Sequence, residues 1–453
     1  MAEGEDKAGL RVSADKVYAE INLLPDMTLG DVWNLIRARG IVYGIKDERL
    51  SEAMGRPGEW IRFAEGLAPV QPVHSLPHYH FDTGRKPHMT AGENDTVNFK
   101  ELGLIHNVKA GQVVATQPPV KTGIPGRDIF GQAIPVPEPK ITPFHVGTHV
   151  SLSPDEKQMK ADIDGRVFLD LSGRVCVDNQ LTIGGDVGPA TGNINFLGAL
   201  FINGNVLSGY KVKAAADIEI RGTVESAYID AAGELKIHGG VFGGGKAVLQ
   251  SRKSIHVRHA QEATILCGDS LVVQESLLRV TAVAAKKIVM ELGSVVGGTI
   301  NAPFMQIGSL GSESGVRTVV ELGISPRIRM FCSQLESEFQ SLRDQLQKVR
   351  QKLHPLVTLQ DSGKVLTKED HDIMLRLENE DEELQRKILG VTAEIRKKLS
   401  DPAAHIEGVM DVAGAVRPGV VISTIAVEKP IGTARTGLKL KASRGQITES
   451  VEE

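Results

Sequence analysis

Aromatic side chains make up only 4% of the 453 residues, and three residues are cysteines: Cys176, Cys267 and Cys332. With no C-x-x-C pair and an odd total, the cysteines offer neither a disulfide framework nor a zinc-finger spacing. They read as small buried apolar residues or as free thiols of a reducing compartment. No run of about 18 apolar residues occurs, so no membrane-spanning helix is expected. Residues 1–10 are acidic and lack the apolar core of a signal peptide. An excess of basic charge is missing too: the formal net charge is −4, which gives no global field for nucleic acid. These absences lead to the expectation of a cytoplasmic protein with no nucleic-acid binding and no membrane insertion. They also argue against secreted β-helix enzymes such as pectin-degrading lyases.

Glycine, by contrast, is abundant at 48 residues. Over roughly residues 200–320 a short apolar-x-apolar phrase keeps returning: Leu200-Phe201-Ile202, Ile218-Glu219-Ile220, Leu235-Lys236-Ile237, Ile255-His256-Val257, Leu271-Val272-Val273, Ile288-Val289-Met290 and Met305-Gln306-Ile307. Its period is about 16 to 20 residues, at or just under the range of known repeats. Roughly 11 residues after most phrases a second apolar strand follows, as at Lys211-Val212 and Tyr228-Ile229, with Gly, Ser, Asn and Ala turning the corners between. A unit this short cannot bury its own apolar face and must stack on its neighbours, the pattern of a parallel β-helix.

The flanks differ. Residues 1–14 read as a flexible tail and 15–69 as a small α+β module, with Thr28 and Asp31 placed as a capping box for a helix carrying Val32, Leu35 and Ile36. Residues 70–95, rich in Pro and His, read as a linker, and 96–165 as a small all-β domain leading into the β-helix at 166–325. Over 326–400 the spacing of Leu335, Phe339, Leu342, Leu346, Val349, Leu353 and Leu356 is 4-3-4-3-4-3. Met374, Leu377, Leu384, Ile388, Val391 and Ile395 repeat the rhythm, so an antiparallel coiled-coil hairpin is expected, its first helix stopping at Pro355. Residues 401–447 should return as β segments on the end of the β-helix, leaving 448–453 as an acidic tail.

Several phrases carry a family likeness. They include Gly184-Gly185-Asp186-Val187-Gly188, Thr191-Gly192-Asn193-Ile194-Asn195-Phe196, Ile202-Asn203-Gly204-Asn205-Val206, Gly222-Thr223-Val224, Ile237-His238-Gly239-Gly240 and Gly297-Gly298-Thr299-Ile300. Together with Gly123-Ile124-Pro125-Gly126-Arg127-Asp128 upstream and Arg417-Pro418-Gly419-Val420 downstream, the chain resembles the bacterial flagellar assembly protein A (FapA) family over roughly residues 15–445. The resemblance implies a small N-terminal domain, a central right-handed β-helix and a helical hairpin. It also implies a non-catalytic role in assembling or positioning flagella through protein partners, flagellar or polar-localisation factors, at the cell pole. A homo-oligomer is expected, with no cofactor. On this resemblance Thr191, Gly192, Asn193, Ile194, Phe196, Gly204, Gly222, Gly240 and Gly298 are structural signature positions. One departure is His78-Tyr79-His80-Phe81-Asp82, which stands where the family pattern has an Asp-Gly turn.

A few motifs suggest chemistry. Gly240-Val241-Phe242-Gly243-Gly244-Gly245-Lys246 fits the first seven positions of a phosphate-binding loop, but Ala247 replaces the magnesium-binding hydroxyl. His74, His78 and His80 are close enough to share a metal, without a Cys or a well-placed carboxylate to complete four ligands. Gln158-Met159-Lys160-Ala161-Asp162 faintly resembles a swinging-arm lysine. Hexapeptide-repeat acyltransferases place a catalytic histidine between subunits, and His238, His256 and His259 sit in the rungs here, but the strict six-residue aliphatic repeat is missing. Glu219 faces outward beneath Lys236, which suggests a charge ladder rather than a pair of acids.

Overall fold

The computed structural model describes residues 9–84, 100–362 and 367–449. The chain divides into two units, one built from Met1–Thr83, Ala110–Asp162 and Leu169–Cys176, the other from Gly84–Lys109, Ile163–Phe168 and Val177–Glu453.

The second unit is organised by the repeat. In a strand successive side chains alternate between faces, so an apolar-x-apolar triplet puts two side chains in and one out. Leu181, Leu200, Ile218, Leu235, Ile255, Leu271, Ile288, Met305 and Met410 lie in parallel register, each beside the next. Ile194, Val212, Ile229, Leu249, Ile265, Ala282, Ile300, Val320 and Ile422 form a second stack. A third, not visible as a strand in the sequence, runs through Val187, Val206, Val224, Val241, Ala260, Leu277, Val295, Leu310 and Val416. All three close on one core, and every member of the third stack is fully buried. Each buried Val, Leu or Ile contributes about 1.5–3 kcal/mol relative to exposure. Outside, ion pairs link adjacent rungs, as from Arg258 Nε to Glu275 at 2.6 Å and from Lys286 Nζ to Asp269 at 2.9 Å.

The jump from Met305 to Met410 marks an excursion. Helix α3 (Pro326–Asp361) and helix α4 (Lys368–Leu399) leave the solenoid after Thr318–Glu321, and the chain returns to pair Gly408–Val416 in parallel with Phe304–Leu310. The helices pack through Leu335, Phe339, Leu342, Leu346 and Val349 against Leu377, Leu384, Ile388, Val391 and Ile395. Asp381, the polar residue in that rhythm, accepts from Arg350 Nε at 2.7 Å. Thr367 and Asp370 form a capping box at the start of α4. The solenoid's last strands are then covered antiparallel: Arg435–Ser443 lies on Gly408–Val416, and Gln446–Glu449 lies on Arg435–Ser443. That closes an edge which parallel stacking would leave open.

In the first unit Gly9–Val12, Tyr18–Asn22 and Ile61–Glu65 form an antiparallel sheet, packed by α1 (Leu29–Ala38) and α2 (Asp47–Gly55). The Thr28–Asp31 capping box starts α1. A second sheet, of His78–Tyr79, Val113–Thr116, Gln158–Ala161 and Val150–Leu152, is antiparallel throughout.

Several expected boundaries differ from the structure. The flexible tail over 1–14 gives way to a strand at Gly9–Val12, because Leu10 is buried and Arg11 pairs with Glu20 at 2.7 Å; residues 1–8 lie outside the described set. The 70–95 linker is divided. Val70 and Val73 are hydrogen-bonded to Ile124 and Lys121, and His78–Tyr79 is a sheet strand, whereas 85–95 lie outside the described residues. Ile129 enters the core expected to belong to 15–69 alone, and its carbonyl accepts from the backbone of Val42 and Tyr43 at 2.9 and 3.0 Å. Helix α3 runs through Pro355 to Asp361. The proline removes one helical bond, at a cost of about 3 kcal/mol, but Leu353 and Leu356 on either side stay half-buried and carry the packing onward. The 448–453 tail begins later than expected, since Thr448 and Glu449 are in a strand and residues 450–453 lie outside the described set.

Candidate functional site

Seven of the nine expected signature positions lie in the first rungs of the solenoid, with Gly240 and Gly298 farther along, and each has a structural setting. Thr191 Oγ1 accepts the Gly188 N–H at 2.9 Å, closing the turn. Gly192 sits at φ +66°, and a Cβ there would lie 2.4 Å from the Lys100 carbonyl oxygen. Asn193 donates its backbone N–H to that same carbonyl at 2.6 Å and its Nδ2 to Glu101 at 2.8 Å, while its Oδ1 accepts from Lys211 N–H at 2.9 Å. Asn107 continues the seam, donating Nδ2 to the Asn195 carbonyl at 2.8 Å. Residues 100–107 are therefore laced to the first rungs, over the buried Ile194 and Phe196. Gly204 and Gly222 leave room for Asp186 and Asn205, whose side chains accept backbone N–H groups from the next rung at 2.7 and 2.8 Å. Gly240 makes space for the His259 ring, and Gly298, at φ +79°, lies against the Val280 carbonyl.

The chemical motifs resolve into the repeat. Gly240 to Lys246 lies inside the strand Leu235–Ser251, and Ala247 to Leu249 pairs in parallel with Ala263 to Ile265, so no helix N-terminus faces a phosphate. Its glycines hold a small insertion. Lys160 lies in the strand Gln158–Ala161 rather than at a hairpin tip, beside the fully buried Met159. His74, His78 and His80 are exposed; His74 Nδ1 accepts the Lys140 N–H at 3.0 Å, and the His78 and His80 rings meet edge to face at 5.2 Å. Among the described residues no group of three or more His, Cys, Asp or Glu is placed to hold a metal.

Glu219 does lie beside Lys236 in register, as expected, but the ion pairs are different. Glu219 Oε1 is 2.9 Å from His238 Nε2, two residues further along the strand, and Lys236 lies 3.5 Å from Glu234. Asp217 accepts the Glu234 N–H at 2.7 Å. These three carboxylates each have such a partner. His259 packs edge-on against Phe242 at 5.3 Å, and its Nδ1 is 3.6 Å from Glu275. All three cysteines are buried, and burial pushes the Cys267 thiol up to about 11, so it is inert as a nucleophile.

A buried charged cluster that the sequence did not single out lies at the root of the hairpin. Arg329 in α3 is buried; its Nε donates to Glu321 at 2.7 Å, at the end of the strand Thr318–Glu321, and its Nη1 donates to both oxygens of Glu336 at 3.0 Å. The flanking carboxylates hold the guanidinium charged, while burial pushes Glu321 up against the opposing pull of Arg329. A cavity of about 490 Å³ lies beside this clamp, lined by Cys332, Arg396 and Thr424. Farther along α3 an open groove of about 950 Å³ separates hairpin from solenoid; Gly245 and Lys246, from the glycine-rich insertion, form one wall with Thr264 and Thr281, and Phe339 and Asp344 form the other. Sequence periodicity shows where α3 packs on α4. It contains no signal that Arg329, spaced like any surface arginine, is the residue tying α3 to the solenoid.

Searches of curated proteins and of solved structures returned no significant match. Two family descriptions do match: the Flagellar Assembly Protein A N-terminal region over residues 8–172 and the Flagellar Assembly Protein A beta solenoid domain over residues 179–447. No described helix is long and apolar enough to cross a membrane. A glycine-cornered solenoid laced at its start, carrying a clamped hairpin and matched along nearly its whole length, leaves one conclusion: the chain belongs to the flagellar assembly protein A family.

Proposed function

We propose that the chain is a non-catalytic adaptor of flagellar assembly. It acts in the cytoplasm at the cell pole, with the hairpin and the N-terminal module as docking elements for flagellar or polar-localisation proteins. The observation that carries this reading is the insertion of α3 and α4 between two consecutive rungs, with Arg329 clamped to Glu321 of the solenoid. A pair of helices over 30 residues long, each with a charged outer face, adds little to the solenoid's core, yet it is anchored to it through a buried ion pair. On the rung surface His238 is paired with Glu219 and Lys236 with Glu234, which supports the absence of catalysis in this proposal.

The alternative is a filament-forming, bactofilin-like solenoid. The antiparallel strands Arg435–Ser443 and Gln446–Glu449 favour a defined oligomer, because they cover the edge on which another rung would stack. Removing the gene from its bacterium and counting flagella by electron microscopy tests the proposal. Missing or misplaced flagella are expected, and normal number and position would refute it. Sedimentation of the purified chain over a range of concentrations should give one oligomer, and polymers that grow with concentration would favour the filament.

A further inference from the structure

The proline-rich stretch of the first unit holds a surface that neither its composition nor the family description assigns. Leu67 exchanges backbone hydrogen bonds with Arg127 at 2.7 and 2.8 Å, Val70 with Ile124 at 3.0 Å both ways, and Val73 with Lys121 at 2.9 and 3.2 Å. Both chains advance three residues between bonded pairs, the period of polyproline II rather than of a β-ladder. Pro69 and Pro72 fall between the bonded residues, where a missing N–H costs nothing. Opposite them stand Gly123 and Gly126. A Cβ would lie 2.6 Å from the Val70 carbonyl oxygen at the first and 2.4 Å from that of Leu67 at the second. The two chains are thus locked into a ribbon, preformed before any partner arrives.

Its bonded residues leave their side chains in water: Leu67 is 54% exposed, Val70 56%, Val73 53% and Ile124 59%. Monomeric proteins rarely expose a contiguous apolar run of this kind without a partner for it. The charge on the ribbon itself has one sign, since Glu65 just before it is paired with Lys46 and Asp128 just after it is buried. Residues 66–77 and 117–127 contain Lys121 and Arg127, both exposed, and no Asp or Glu.

We propose that this ridge docks into an acidic groove lined with aromatic side chains on another protein. The inference rests on the adaptor reading. A rigid threefold ridge of valine, leucine and proline fits the slots between aromatic rings and loses little entropy on binding. Lys121 and Arg127 select a partner of opposite sign, and a second copy of this ridge would bring like charges together.

The test uses the full-length chain in its own bacterium, with a photo-crosslinking benzophenone amino acid at Val73 or, separately, at Leu389, an exposed position on α4. The expected result at Val73 is an adduct with one protein, at a peptide bearing aromatic and acidic residues. Titration of that purified protein against the purified chain should then show at least a tenfold loss of affinity for Val73→Asp and a weaker dependence on salt for Lys121→Glu, with Val73→Ile close to wild type. Thermal melts matching wild type would show that the variants are folded. An adduct with a second copy of the chain, an adduct on a basic or aliphatic surface, or unchanged affinity for Val73→Asp would overturn the proposal. An adduct at Leu389 but none at Val73 would reject the ridge and leave the adaptor reading standing; none at either position would reject both.

Discussion

Replacing Arg329 by methionine should cost about 3–5 kcal/mol, the usual penalty for removing one partner of a buried ion pair. The cost arises at Glu321, whose side chain is 16% exposed and would keep its charge with no cation beside it. Glu336, at 48% exposure, is solvated enough to adjust and contributes little. The penalty should depend on pH. Burial already holds Glu321 above its ordinary range, and without Arg329 it rises further. Between about 4.3, the unfolded value, and that raised folded value, the native state binds more protons than the unfolded one. Stability of the variant therefore falls as pH rises, by up to about 1.4 kcal/mol per pH unit. Urea unfolding of wild type and Arg329→Met at pH 5 and pH 7.5, with hydrogen exchange along 321–336, measures both effects. The variant should lose most at pH 7.5, and Arg329→Met with Glu321→Leu should recover most of the loss. A penalty under about 1 kcal/mol at pH 7.5, or one independent of pH, would refute the clamp.

Ile220→Asp should cost about 6 kcal/mol at pH 7, from lost burial of the fully buried isoleucine and from protonating a carboxyl with no partner; a urea midpoint equal to wild type would contradict the inward register. Gly192→Ala, at positive φ and against the Lys100 carbonyl, should cost about 2 kcal/mol or more and speed hydrogen exchange of residues 193–197; unchanged exchange there would show that the seam does not need glycine. Excising residues 334–398 with a short Gly-Ser bridge should leave the solenoid's β-sheet circular dichroism and melting intact, since the three stacks close without the hairpin. A chain that unfolds on excision would make the hairpin part of the core.

The solenoid was legible because its triplets place two side chains of every three inward, and a two-residue alternation survives in the sequence wherever one face is buried. Its third stack was not. Val187 and Val224 each stand alone between polar or glycine residues and Val206 has only the half-buried Leu207 beside it, one inward side chain per corner, too short to register as a strand. The hairpin seam was legible for the opposite reason, since its period is sustained over many turns. Yet the same seam carried α3 past Pro355, where local stereochemistry predicts a stop. The ribbon at 67–73 was hidden because chains bonded at every third residue show no alternation, and prolines that fit between the bonds look like those of a linker. Gly9–Val12 was obscured by its acidic surroundings, although Leu10 is enough to bury it. Arg329 is the clearest case of all. Its role depends on a carboxylate in a strand that the helix meets only in the folded chain, and no spacing announces that.

The central claim is that the solenoid is a support and the hairpin a working surface. In a strain lacking the gene, the full-length chain and the chain without 334–398 can be expressed to equal levels and the flagella counted cell by cell. The account predicts that the full chain restores flagella and the excised chain, though folded and abundant, does not. Full restoration by the excised chain would contradict it.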